Sequence, residues 1–198
     1  MFEKLINNVK QHANITDEGI QKFVESLKIR HIKKKKNLLS EGDNGNCMFY
    51  VNEGLFRNYI FDEQGNEHTT DLIAQNNWFG DAEAFLSRQP AGINIEAIED
   101  SQVFVLTYED LHRFYDEIPM FERAVRKIIE RYFIKALQRA RKLNRAGYSA
   151  QERYQEFLRS QPKLSNRVPA IYLSSYLGIT PETLSRLRSQ SIKQGSNA

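Results

Sequence analysis

Cysteine is almost missing from this chain of 198 residues: Cys47 stands alone. A single cysteine excludes an intrachain disulfide and any cluster held by several thiolates, and it fits a reducing cytoplasm. Within NCMFYV it reads as a half-buried strand residue rather than a reactive thiol. No window approaches the roughly 18 consecutive apolar residues of a membrane span, so no membrane partner is expected. MFEKLINNVK at the start lacks the apolar segment of a signal peptide, and a cytoplasmic location is expected. The histidines, at 12, 31, 68 and 112, fall in no metal-ligand spacing, and no cofactor is expected. Nucleophile elbow, Walker-type phosphate loop and HExxH are all missing, and EGDNG is a turn rather than a calcium loop. Nothing in the sequence reads as an enzyme.

Acidic residues are scarce only in one part of the chain. Residues 1–118 hold 12 basic and 20 acidic side chains, a net charge of −8. Residues 119–198 hold 16 basic and 5 acidic ones, a net charge of +11. Two regions of opposite sign imply two tasks, and the basic one fits a polyanion.

The acidic region opens on two short amphipathic helices, FEKLINNVKQH and TDEGIQKFVESL, the second started by Thr16. From Lys28 to about Tyr108 short alternating runs follow one another, punctuated by Gly42, Gly54, Gly65 and Gly80, with EGDNG and DEQGNE as turns. Many short, evenly spaced strands predict an antiparallel sandwich or barrel-like roll. Lys33–Lys36 reads as a solvated, charged strand edge.

Pro119 opens the longest helical pattern, with apolar pairs at Met120/Phe121, Ala124/Val125, Ile128/Ile129, Tyr132/Phe133 and Ala136/Leu137. So wide a stripe can bury one edge on its own domain and the other on a second copy. Phe121, Val125, Ile128 and Tyr132 keep an a/d rhythm and are expected at a homodimer seam, with Ile129 and Phe133 facing the chain's own roll. Nine basic residues lie from Arg123 to Arg145.

Gly147 breaks that helix, and Ser149 with Glu152 forms a capping box for the next, which Pro162 ends. VPAIYLSSYLGITPETLSRLRSQ then predicts two short helices joined at LGIT, with Leu173, Tyr176 and Leu177 facing Leu184 and Leu187. Short helices around a glycine-containing turn are the helix-turn-helix signature. Thr180 suits the N-cap, Pro181 the first helical position and Glu182 the first turn. Glu182, Arg186 and Ser189 share one outward face. Arginine can donate twice to guanine O6 and N7, and glutamate can accept from cytosine N4. Thr180, Thr183 and Ser185 offer hydroxyls to phosphate oxygens, and Arg188 a cation.

In this order of parts the chain resembles the Crp/Fnr family of bacterial transcription regulators over nearly its full length. The glycine-punctuated roll, FGD near residue 80, the long helix from 119 and GITPETLSRLRSQ carry the resemblance. It implies an α+β chain: a jelly-roll-like sensor domain over 1–117, a dimerisation helix over 118–146, and a helix-turn-helix domain over 147–198, for which, unlike the family's usual pattern, a full wing is not expected. It further implies a homodimer on a two-fold symmetric operator in double-stranded DNA, with RNA polymerase a candidate partner. A small-molecule-sensing or interaction module, its helical hairpin not binding DNA, is the alternative.

Two departures bear on control. Family members that bind cyclic nucleotides carry glycine-glutamate and, ten residues past the glutamate, an arginine followed by serine or threonine. Here Gly80-Asp81 is followed at that distance by Ala91 and Gly92, while Arg88 falls in a loop beside Pro90. A phosphodiester without its cation is costly to bury, so cyclic AMP is not expected as effector; either the ligand-free dimer is already competent or an uncharged or differently shaped molecule of unknown identity occupies the roll. Oxygen sensing of the Fnr kind needs a cysteine cluster, which Cys47 cannot form.

Overall fold

The structure is a computed structural model that describes residues 1–143 and 147–195. It contains two compact units, one of residues 1–58 and 72–138, the other of 59–71 and 139–198.

Two amphipathic helices, α1 (Glu3–Lys10) and α2 (Asp17–Ser26), open the first unit, and the Thr16 hydroxyl caps α2 by accepting from Gly19 N at 3.1 Å. Strands β1 (Lys28–Ile32), β2 (Asn37–Leu39), β3 (Cys47–Glu53), β4 (Leu55–Phe61), β5 (Glu67–Ala74), β6 (Trp78–Phe79), β7 (Asn94–Ala97) and β8 (Ser101–Thr107) follow. They form two four-stranded sheets, ordered β1-β8-β3-β6 and β2-β7-β4-β5, with antiparallel registers such as Phe49 opposite Val105. The roll read from the turn residues is therefore present.

Both faces of β3 and β8 are covered, which explains their unbroken apolar runs. Phe49, Val51, Val103 and Val105 pack with Phe56, Phe79, Ile95 and Ala97 inside the roll. Tyr50, Phe104 and Leu106 face the other way, onto α1, α2, α4 (Tyr108–Glu117) and the start of α5 (Phe121–Leu143). Each fully buried large side chain contributes about 1.5–3 kcal/mol. Gly54 turns β3 into β4 at φ +106°, and a Cβ there would stand 2.0 Å from Ser101 Oγ, so only glycine fits.

The phase of α5 differs from the expectation. Phe121 is buried beside Phe23 and Phe114, at ring distances of 5.1 and 5.4 Å, and Ala124 is buried with it. Val125 packs against the same core. Tyr132 accepts a hydrogen bond from Trp78 N at 3.0 Å and donates to Asn77 Oδ1 at 3.4 Å. The Phe121, Val125, Ile128, Tyr132 edge therefore faces the chain's own unit, and Ile129 and Phe133 are 50% and 62% exposed, with Ile134 and Leu137 also exposed. Neighbouring helix positions differ by about 100°, so the apolar pairs allowed either edge inward; the anchoring of the first turn decides it. Residues 144–146, where the long helical pattern ends in the sequence, lie outside the described residues.

In the second unit, α6 (Ala150–Ser160), α7 (Ala170–Leu177) and α8 (Pro181–Gly195) enclose Tyr154, Phe157, Leu164, Val168, Leu173, Leu177, Leu184 and Leu187. The Ser149–Glu152 capping box starts α6. The outer part of the β4–β5 hairpin belongs to this unit as well. Ser175 Oγ accepts from Thr69 N at 2.8 Å and donates to Glu67 O at 3.4 Å. Arg139 donates to Asp71 at 3.2 Å and stacks on the Tyr176 ring at 4.4 Å, so Tyr176 is half-buried beside this cation.

Candidate functional site

Helices α7 and α8 are joined by residues 178–180. Gly178, at φ +63°, caps α7 in the left-handed region, its N–H meeting the Ser174 and Ser175 carbonyls. Thr180 then caps α8, its Oγ1 accepting from Thr183 N at 3.2 Å and donating to Thr183 Oγ1 at 3.2 Å. Leu184 and Leu187 turn inward, which leaves Glu182, Ser185, Arg186 and Ser189 exposed along one side.

The six side chains read from the sequence as a nucleic-acid face divide into two groups. Thr180, Glu182, Ser185 and Arg186 are exposed, and no hydrogen bond joins the Arg186 guanidinium to another of the described residues. Backbone hydrogen bonding at the helix start and the Thr180 hydroxyl hold the Glu182 carboxyl below its ordinary pKa, so it is ionised at neutral pH. Thr183 is half-buried at the cap. Arg188 differs from the expectation of a phosphate contact: it is half-buried, and its guanidinium donates to Ser165 O at 2.9 Å. That bond ties α8 to the turn after α6.

The Gly80–Gly92 segment contains a helix the sequence reading passed over, α3 (Ala82–Ser87). Asp81 is buried and caps it, Oδ1 accepting from Ala84 N at 3.0 Å, while Oδ2 accepts from Gly92 N at 2.8 Å. One carboxylate thus closes the segment on itself. Ala91 is buried in the roll, its N–H and C=O bonded to Asp43 and Gly42 at 2.8 Å each. Gly92 is not forced by space, since an added Cβ would meet only Asp81 Oδ2 at 3.9 Å. Arg88 ends α3 at φ +61° and is committed elsewhere, to Glu109 at 3.1 Å and over the Tyr108 ring at 4.2 Å. The segment's carboxylate is turned inward and bonded at both oxygens, and position 91 holds alanine rather than arginine. Removing that carboxylate in Asp81→Ala leaves the buried Ala84 N–H and the Gly92 N–H without this acceptor and should cost about 1–3 kcal/mol, read as a lowered thermal midpoint.

Burial raises the Cys47 thiol pKa, opposed by Arg30, so the thiol stays protonated at neutral pH. Among the described residues, no cluster of His, Cys, Asp and Glu could hold a metal ion, and no helix is long and apolar enough to cross a membrane.

Residues 29–117 match the family model described as cyclic nucleotide-binding domain. No curated protein matches the chain significantly. Among solved structures, the chain is similar to the c-di-GMP-responsive global regulator CLP of Xanthomonas campestris, with 16% identity over 91% of this chain and 93% of that one, at a TM-score of 0.71. It is similar to FixK2 of Bradyrhizobium japonicum, with 20% identity over 85% and 86%, again at 0.71. Thermus thermophilus catabolite activator protein matches with 19% identity over 95% and 88%, at 0.57. At these identities the likeness is one of fold. Residues 29–117 thus carry the sequence match and the roll of a cyclic nucleotide-binding domain, on a chain that shares its fold with these three proteins.

Proposed function

We propose that the chain is a sequence-specific DNA-binding transcriptional regulator of the Crp/Fnr type, active as a homodimer on a two-fold symmetric operator and independent of cyclic AMP. The α7–α8 pair carries this reading, with Arg186, Glu182 and Ser185 presented together on an exposed helix side in a region of net charge +11. A helix of this kind lies in a major groove with its N-terminal residues at base edges. In this reading Arg186 meets guanine and Glu182 an adjacent cytosine, while Thr180 and Thr183 hold the helix start against the phosphates. The second copy covers the exposed α5 edge of Ile129, Phe133, Ile134 and Leu137.

Independence from cyclic AMP follows from the 80–92 segment. Asp81 already accepts from Gly92 N, and Ala91 and Gly92 supply no cation to an added phosphate. A ligand shifts a conformational equilibrium only by its differential affinity for the two states, and here that difference is small. The DNA-competent dimer therefore forms without ligand. Fluorescence anisotropy of a selected duplex, titrated with the ligand-free chain and again with cyclic AMP present, tests both statements. Binding above that of a random duplex, unchanged by cyclic AMP, is expected. Equal binding to both duplexes contradicts the DNA reading, and a rise in affinity at micromolar cyclic AMP contradicts the reading of the 80–92 segment.

A further inference from the structure

We infer that Arg153 is the positioning residue that sets the start of α8 from the segment following α5, an inference that rests on the DNA-binding reading above. Arg153 sits on the first turns of α6 with its own N–H bonded to Ser149 O at 3.0 Å, so its Cα is fixed by the capped helix. Its guanidinium joins two places distant in sequence. One terminal nitrogen donates to Tyr148 O at 3.0 Å, and the other donates to Gly178 O at 3.3 Å.

Gly178 is the left-handed cap of α7, and Thr180, two residues on, is the cap of α8. Carbonyls at a helix C-terminus lack intrahelical donors and carry the negative end of the helix dipole, so a cation is doubly suited there. The choice of arginine matters. A guanidinium holds its N–H groups in a rigid plane, so two carbonyls bound to one fork are fixed in distance and in angle, which an ammonium on a flexible stem cannot do. Arg153 Nε is buried with no hydrogen-bond partner among the described residues, so there the fork is held by those two carbonyls and by packing. Tyr148 directly follows Gly147, at φ +78°, in the segment leading from α5 to α6. A displacement of Tyr148 therefore reaches Gly178 through one side chain, and with it the turn that aims Glu182 and Arg186.

The test uses the full chain carrying Arg153→Ala and, separately, Arg153→Lys. Hydrogen exchange without DNA is read at the amides of Ile179, Thr180 and Thr183, with those of Tyr154 and Phe157 as internal reference. Both variants should exchange about tenfold faster at the turn and as the parent does at the reference. In selection from a random duplex pool, the preference at the base pair assigned to Arg186 should fall about tenfold, while the salt dependence set by phosphate contacts stays unchanged. Parent-like exchange and parent-like preference in Arg153→Ala overturn the inference, as does full restoration by Arg153→Lys, which would show that charge without the fork suffices. Should Arg153→Ala not fold, Arg153→Lys decides by the same readings. A parent chain that prefers no duplex overturns the DNA reading alone, since the exchange arm still judges the hold of Arg153 on the turn.

Discussion

A Phe133→Asp chain should sediment as a monomer and lose about a hundredfold or more of its affinity for a two-fold symmetric duplex, because the second half-site is then no longer delivered by linkage. Phe133 is 62% exposed, and with Ile129, Ile134 and Leu137 it makes an apolar edge that the chain itself leaves uncovered. A carboxylate there costs the monomer little, as it already faces water, but in a seam between two helices it is buried without a partner. Ile128→Asp gives the contrast. Ile128 lies on the half-buried edge that continues Phe121, Ala124 and Val125, so its aspartate should lower the thermal midpoint of the chain before it touches assembly. Analytical ultracentrifugation with melting curves on both variants separates the two edges. A Phe133→Asp chain that remains dimeric with parent-like affinity contradicts this placement of the seam.

Arg186→Ala should cost about 1–3 kcal/mol on the preferred duplex and relax the preference at one base pair, with other positions kept. The reasoning is one of availability. Arg188 is spent on Ser165 O, whereas the Arg186 guanidinium is exposed and joined to no other described residue. Arg188→Ala is therefore expected to loosen the packing of α8 and reduce stability rather than remove a phosphate contact alone. Competition binding against single-base variants of the site reads the difference. A loss shared equally by all sequences would assign Arg186 to the backbone.

Local chemistry was the most legible part of the chain. Thr16, Ser149 with Glu152, and Thr180 each cap the helix they precede, because a cap is a bond across three residues and needs no knowledge of the fold. The roll was legible through its turns, and the α7–α8 pair through Gly178 and its flanking leucines. Three features were not. Helix α3 is six residues long, too short for a periodic pattern, although Asp81 before Ala-Glu-Ala was the signal of its cap. The inward edge of α5 could not be chosen from pairs of adjacent apolar residues, since Phe121 packing on Phe23 depends on a helix roughly a hundred residues earlier. Arg188 reads in the sequence as a cation for phosphate and Arg153 carries no signal at all, and only folding brings Ser165 O and Gly178 O to them. The same holds for Ser175 and Thr69, which meet across 106 positions.

The central claim, that the exposed side of α8 reads base pairs in a dimer needing no cyclic nucleotide, is tested most directly by selecting bound duplexes from a random pool with the ligand-free chain. The account predicts enrichment of one two-fold symmetric site, its half-sites about 34 Å apart along the duplex or a multiple of that, with a guanine in each half-site that loses its preference in Arg186→Ala. A pool that stays random after repeated rounds, or a site enriched equally by the Arg186→Ala chain, would contradict it.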